Sequence, residues 1–513
     1  MLALRTALVT GRPPTFGPES ISVINPFHHG ALYYDLLLPA AWLGNGDPTW
    51  VVCEIALLSL MVVPVIWWIA RSIAGTPAGL VAALLAAISA SLIGYSTFIW
   101  NPTLVEPGAA IAYLGAWLAL RQSEARWWIL AAIGAAVAAQ SHIAAAVLLL
   151  PLALAYAFDL RRGPAGRRRS IALWGFAGVV LFAASYLPLI IYELGHDFAD
   201  TRGILAYFTA PTSAPAHDPL VRVLFSAIRI LAWPLTRWPL VDLRPAFTIA
   251  FLVATALIAG MVWRIGETAG RKASGAAVAA AYPAEEIARG ARAATAAAAL
   301  PEHPDGAPQA IERLGTQLVG SGLLLIILAL GLGLHALSEV QELPTEQYHA
   351  VADPLVFVAA GLVFGGLWRS LPRRDLTAIR RAAAVGAIVA VVAWNVGHWP
   401  PLTAPDGGWP AAQAAAARLE RDASGSAMAL VPLFEPKGGN AYAYPLTRDG
   451  VTLVSPGQAT TVVLLCDSFW LAGCGGQAEE AWRTGSPTGH DLVLMDQFAA
   501  APDRTLTVYR RAP

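Results

Sequence analysis

Three observations predict an all-α polytopic membrane bundle of about ten spans with a small C-terminal α/β domain outside the membrane. The chain of 513 residues is 56% hydrophobic and only 13% charged, too little charge to cover a soluble protein of that length. Between Trp50 and Pro401 run ten apolar stretches, each judged against the ~20 residues that cross a ~30 Å hydrocarbon core. Beyond about Ala411 the hydrophobic period changes to that of short strands and helices.

Residues 1–49 form a first extracytoplasmic segment, ending in an amphipathic stretch from Ala31 to Leu43 that is too short to span. It reads as a juxtamembrane helix at the outer interface, where Tyr and Trp rings are favoured. It is no signal peptide, because Leu2–Thr10 is too short and Arg5 interrupts it. The bundle occupies 50–400, with spans at 50–70, 78–97, 103–120, 127–141, 143–160, 171–194, 245–264, 317–337, 352–368 and 382–399.

Loop charge orients these spans. One side holds Arg71, Arg121, Arg126, the cluster Arg161 to Arg169, and Arg369, Arg373, Arg374, Arg380 and Arg381. The short loops at 98–102 and 338–351 hold no Lys or Arg. By the positive-inside rule the Arg side is cytoplasmic. Fusing 127–160 into one span would put the 161–169 cluster outside, so two spans are read there. The segment Leu220–Leu240 is apolar but carries Arg222, Arg229 and Arg237; burying Arg229 in lipid is costly. It is read as lying along the outer interface, with a buried bundle helix as the alternative. An Ala-rich cytoplasmic insert covers 266–316, with a helix from Pro283 to about Leu300.

The last domain, 403–513, reads as a helix at Ala411–Asp422, strands at Ala427–Pro432 and Thr460–Leu465, a helix at Ala478–Arg483, and strands at Asp491–Asp496 and Thr505–Tyr509. Cys466 and Cys474 sit eight apart within it. On an oxidising face a disulfide closing that loop is favoured over a zinc site, since two further ligands are not nearby in sequence. Net charge is zero and no basic arm appears, so nothing points to nucleic acid.

The residues able to carry chemistry gather on the Arg-poor face. His28 and His29 precede Gly30 and the interfacial stretch, where two imidazoles can donate hydrogen bonds to a phosphate arriving from the lipid phase; capping the helix is the bland alternative. Asn101-Pro102 reads as a helix start with Asn101 as the cap. Glu106 lies about a turn into the following span, where an acid is expensive unless it faces a polar cavity. His142 follows Gln140-Ser141 at the break between two spans, marking either an interhelical contact or a ligand contact. Tyr348 and His349 stand at the entrance to the span 352–368, in an acidic loop.

These elements, in this order, resemble the lipid-linked-sugar glycosyltransferases of the GT-C superfamily. The likeness is greatest to family 39, which holds protein mannosyltransferases and aminoarabinose transferases. It lies in "PFHHGALYYDLLLPA", "YSTFIWNPTLVEP", "AAIGAAVAAQSH" and "EQYHAVADPLVF", and covers roughly residues 1–400. The stretch "CDSFWLAGCGG" is similar to the C-terminal domain of actinobacterial members. By position, His28 and His29 match the element that begins the juxtamembrane helix of the first outer loop. Asn101-Pro102 falls where many members have Asp-Pro, and His142 where many have a Lys that contacts the lipid phosphate. Tyr348 and His349 fall where an Arg-Tyr pair precedes a Pro-containing span.

The resemblance implies a multi-pass enzyme of the bacterial cytoplasmic membrane. It would move a sugar, with inversion, from a polyprenyl-phosphate donor to an extracytoplasmic acceptor on a glycan, lipid or protein. No firm cofactor is implied, and the need for a divalent metal stays open. His28, His29 and His142 would hold the leaving phosphate; Asn101, Glu106, Tyr348 and His349 would line the cavity. The family's catalytic Asp ends a first transmembrane helix, and "LRTALVTGRPPTFGPES" resembles the stretch just after it. The expected base therefore falls upstream of Met1, leaving Glu19 and Glu106 as the carboxylate candidates within the chain. Rival readings are a non-catalytic relative in envelope assembly and a transporter of a lipid-linked precursor.

Overall fold

The computed structural model describes residues 1–20, 27–209, 218–237, 245–281, 307–333, 346–369, 374–401, 403–404, 407–423, 427–433, 439–467 and 476–512. Its packing divides the chain into two compact units. Thr15–Leu36 and Val52–Trp399 form the larger; Met1–Pro14, Leu37–Val51 and Pro400–Pro513 form the smaller.

In chain order the helices are α1 (Leu2–Thr10), α2 (Leu32–Leu43), α3 (Pro48–Leu60), α4 (Val62–Ala74), α5 (Thr76–Ala87), α6 (Ala90–Tyr95) and α7 (Val105–Gln122). There follow α8 (Trp128–Ser141), α9 (Leu149–Arg162), α10 (Ala165–Ser185), α11 (Leu187–Gly195), α12 (Ala199–Thr209), α13 (Pro219–Thr236) and α14 (Pro245–Ala281). The bundle closes with α15 (Ala307–Gly333), α16 (Asp353–Trp368) and α17 (Arg374–Gly397).

Among the described residues, eight helical stretches are long and apolar enough to cross a membrane, or nine if the bent pair α10–α11 counts as one span. Leaving out α13, seven of the eight coincide with stretches read from the sequence, and the bent pair matches 171–194. The stretches at 78–97 and 127–141 form shorter helices. The first breaks into α5 and α6 at Ser89, whose hydroxyl accepts the Leu92 N–H at 3.4 Å and donates to the Pro234 carbonyl at 2.7 Å. The second is α8, only 14 residues long. The chain is a multi-pass membrane protein.

The reading of Leu220–Leu240 needs correction. Its described part, α13, does not expose its arginines at an interface: Arg222 and Arg229 are 7% and 3% exposed. Arg222 donates to the Leu332 carbonyl near the end of α15 at 2.6 Å. At the other end of α13, the Leu235 carbonyl accepts from Asn395 at 2.6 Å and the Thr236 carbonyl from Trp394 at 2.8 Å, both near the end of α17. Helices α15 and α17 run the same way, because α16 runs antiparallel between them. So both ends of α13 meet one end of the bundle, and the helix lies across it, buried by its neighbours. The Arg222 bond to the Leu332 carbonyl and enclosure by neighbouring helices let these arginines be buried where lipid would forbid it.

The smaller unit adds α18 (Gly408–Ala423), α19 (Asn440–Arg448) and α20 (Gln477–Gly485) to a four-stranded sheet. Its strands are β1 (Met428–Pro432), β2 (Thr461–Asp467), β3 (Leu492–Ala501) and β4 (Arg504–Arg511), in the order β1-β2-β4-β3. Strands β1 and β2 are parallel and the other pairs antiparallel. Leu419, Tyr442, Leu446, Val463, Leu465, Leu506 and Val508 make its core. Sequence periodicity missed α19, whose interior Pro445 argues against a helix. Within this unit α1 packs on α19, with Arg5 donating to the Arg448 carbonyl at 3.4 Å. Cys466 is buried in β2, whereas Cys474 and the helix read at Pro283–Leu300 lie outside the described residues.

Candidate active site

The site is built where α7 meets α8. Small residues let the two helices touch through their backbones. A Cβ on Gly134 would sit 2.3 Å from the Ala112 nitrogen. That closeness sets the upper end of α7 against the end of α8, and the Asn101 side chain donates to the Ser141 carbonyl at 2.7 Å. Asn101 is therefore no helix cap: Trp100 holds the cap position, with no side-chain bond. The Asn instead ties two helix ends together beside His142.

A short extended segment runs over this junction. Ser20 N–H donates to the Phe27 carbonyl at 2.7 Å, His29 N–H to Pro18 at 3.0 Å, and Gly17 N–H to His29 at 2.8 Å. Glu19 and His28 form an antiparallel bridge. Gln140, fully buried, fastens the segment to α8: its Oε1 accepts the Leu32 N–H at 3.2 Å and its Nε2 donates to Ser185 at 2.6 Å. Gly30 is required there, since a Cβ would fall 2.0 Å from Gln140 Oε1.

Consecutive side chains of an extended segment point to opposite faces, and the two histidines part accordingly. His29 turns to His142, with ring centroids 5.7 Å apart, and His142 to Tyr348 at 5.1 Å. The His142 Nδ1 accepts the Ala144 N–H at 3.3 Å, which leaves the ring proton on Nε2 as a donor. His28 turns away. Its Nδ1 lies 3.0 and 3.1 Å from the two Asp200 carboxylate oxygens, and its ring packs on Phe16 at 4.3 Å and near Tyr192 at 5.9 Å. The three histidines read as one phosphate site thus fall into a pair and a separate dyad.

Beneath the pair lies a polar cluster in the bundle interior. His349 is 0% exposed, Asp353 1%, and Glu106 and Arg229 3% each. The Glu106 and Asp353 carboxyls are neighbours, and Arg229 faces His349. Tyr113 donates to the Val351 carbonyl at 3.0 Å, fixing the turn that carries His349. His349 Nδ1 stands 3.8 Å from Asp353, too far for a hydrogen bond. Both ring nitrogens of His349, both oxygens of Asp353 and one of Glu106 find no hydrogen-bond partner among the described residues. Such buried polar atoms call for an explanation, of which a bound polar ligand or water is one.

Glu19 is exposed, with its backbone bridged to His28. Among the described residues no group of three His, Cys, Asp or Glu is placed to hold a metal ion. Sequence reasoning missed Asp200, Arg229 and Asp353 as members of the site. Asp353 was visible as an acid opening a span, the signal that singled out Glu106.

A family model described as dolichyl-phosphate-mannose-protein mannosyltransferase matches residues 41–192, which include Asn101, Glu106 and His142. No curated protein matches the chain in sequence. Among solved structures the chain is similar to ArnT from Cupriavidus metallidurans in the apo state, with TM-score 0.54 and 10% identity over 99% of this chain and 91% of that one. ArnT bound to undecaprenyl phosphate gives TM-score 0.41 and 14% identity over 99% and 92%. The arabinofuranosyltransferase AftD from Mycobacteria gives TM-score 0.48 and 15% identity over 100% of this chain but only 37% of that one. At such identity the likeness to apo ArnT speaks to the fold alone. Together with the family match over residues 41–192, that likeness shows that the chain has the GT-C fold.

Proposed function

We propose that the protein transfers a sugar, with inversion, from a polyprenyl-phosphate donor to an acceptor on a glycan, lipid or protein outside the cytoplasmic membrane of a bacterium. The observation that carries this reading is the row His29, His142 and Tyr348 at a break between spans, next to buried polar atoms that find no hydrogen-bond partner among the described residues. Imidazole N–H groups beside a leaving phosphate stabilise the charge that grows on it. His29 and His142 take that role. Asn101, Glu106, Tyr348 and His349 line the cavity, and Asn101 also keeps α8 in place. The match to a family described by a lipid-phosphate sugar donor supports the donor class.

The loop charges support placing the Arg-rich loops in the cytoplasm and the smaller unit outside. Its oxidising surroundings would favour a Cys466–Cys474 disulfide, and nonreducing peptide mapping should recover the linked pair. Transfer is tested in membranes holding the full chain, supplied with labelled polyprenyl-phosphate sugars. Transfer of label with the unaltered chain and its loss on His29→Ala or His142→Ala, without loss of membrane insertion, is the expected result. Normal transfer by both variants would refute the phosphate site.

A further inference from the structure

We infer that His28 and Asp200 are positioning residues that aim His29 at the donor phosphate; this rests on the glycosyl-transfer reading. His28 points away from His142 and does not reach the phosphate itself. A carboxylate only accepts hydrogen bonds, so the proton facing Asp200 sits on His28 Nδ1, 3.0 and 3.1 Å from the two oxygens. That bond joins the extended segment to the start of α12, 172 positions along the chain.

Residues 17–20 and 27–29 pair as a short two-stranded ribbon, and such a ribbon is marginally stable at best when alone. Its place is therefore set by what fastens it. Gln140 fastens one end to α8 through the Leu32 N–H at 3.2 Å, two residues before His142. A single fastening leaves a ribbon able to turn about it. The His28–Asp200 bond is a second fastening, on the face opposite His29. Neighbouring side chains of an extended segment leave on opposite faces, so holding the direction of His28 also holds that of His29. Phe27 shares the His29 face, with the two rings edge-on at 5.7 Å. With both ends held, His29 and His142 stand 5.7 Å apart.

The anchor is itself held in place, as this role requires. The Asp200 side chain is 7% exposed and that of His28 21%. Glu193 Oε1 accepts the Asp200 N–H at 2.9 Å, while Oε2 accepts the Thr201 N–H at 2.8 Å and its hydroxyl at 2.7 Å. Glu193 thereby ties the start of α12 to α11. The His28 ring also packs on Phe16 at 4.3 Å and near Tyr192 at 5.9 Å, which limits its rotation. A misplacement of about 1 Å at a reacting group can cost ~10²-fold in rate. Loosening this anchor is thus felt at the phosphate without any contact with it.

The test titrates a short-chain polyprenyl phosphate into the full chain in lipid nanodiscs, beside transfer from labelled polyprenyl-phosphate sugars. His28→Phe keeps a ring and loses the Nδ1–H, and Asp200→Ala removes the same bond from the other side. Each should raise the Kd for the phosphate about tenfold and lower transfer in the same direction. His28→Asn, whose amide N–H stands where the Nδ1–H does, should stay within about threefold of the unaltered chain. In a His29→Ala background, His28→Phe should change Kd by less than about twofold, because the group that His28 serves is already gone. A general structural role would weaken binding equally in both backgrounds, and that result would overturn the inference. So would unchanged binding by either His28→Phe or Asp200→Ala, or a His28→Asn as weak as His28→Phe. If His28→Phe does not fold, Asp200→Ala measured in the two backgrounds decides in the same way. An unaltered chain that neither binds the phosphate nor transfers sugar would sink the glycosyl-transfer reading itself, and this inference with it.

Discussion

The two ends of the helical bundle treat buried charge in opposite ways. At the arginine end, charges are matched. Arg264 pairs with Glu267 and Glu312, Arg369 shares Glu312, and Arg380 and Arg381 donate to the Gly366 and Trp368 carbonyls at 2.9 and 2.8 Å. Asp159 accepts from Arg167 at 2.7 Å and from Trp128 at 3.0 Å. Single nitrogens of Arg264 and Arg369 and the Thr316 hydroxyl are the exceptions. At the histidine end, both nitrogens of His349, both oxygens of Asp353, one of Glu106 and the Ser141 hydroxyl go without a partner among the described residues. Matched charge serves architecture; unmatched polar groups mark where another molecule completes the structure.

The contrast breaks most visibly at Arg264. Replacing it by Met leaves Glu312 and Glu267 short of a partner in the bundle, which costs roughly 3–5 kcal/mol. Thermal unfolding in detergent should show the drop, while activity per folded molecule persists. Gly134→Ala comes next. Its Cβ would meet the Ala112 nitrogen at 2.3 Å, and overpacking of this kind costs about 1–3 kcal/mol. It should also reduce transfer, because α7 and α8 position His142. Asn101→Ala removes the bond to the Ser141 carbonyl and should cost about 1 kcal/mol, again with an effect on transfer. The smallest change in stability is expected for Asp353→Asn and Glu106→Gln. Each amide keeps the shape of the acid it replaces and can still bond the neighbouring carboxyl, so unfolding should move by less than about 1 kcal/mol. A large loss of stability in either would mean that the two ends do not differ in kind.

What the sequence made legible follows from the range of each signal. Spans rest on local hydropathy, and those on either side of the insert were found. Glu106, Tyr348 and His349 were found because a polar residue inside an apolar run is itself a local anomaly. Pairings were not legible. His28 meets Asp200 across 172 positions, and nothing in the neighbourhood of either residue announces the other. Helix α13 shows the limit in another form: its arginines argued for an exposed interface until Leu332, His349 and neighbouring helices were seen to cover them. Asn101 was read from the local cap pattern, which a contact with Ser141 outweighs.

The central claim is that the histidine end performs sugar transfer while the arginine end holds the bundle together. Its most direct test is donor turnover by the His29→Ala/His142→Ala double variant in membranes, measured beside its unfolding midpoint. The account predicts that transfer from polyprenyl-phosphate sugar is lost while the midpoint stays within the range of the unaltered chain. Normal transfer by the double variant would contradict it.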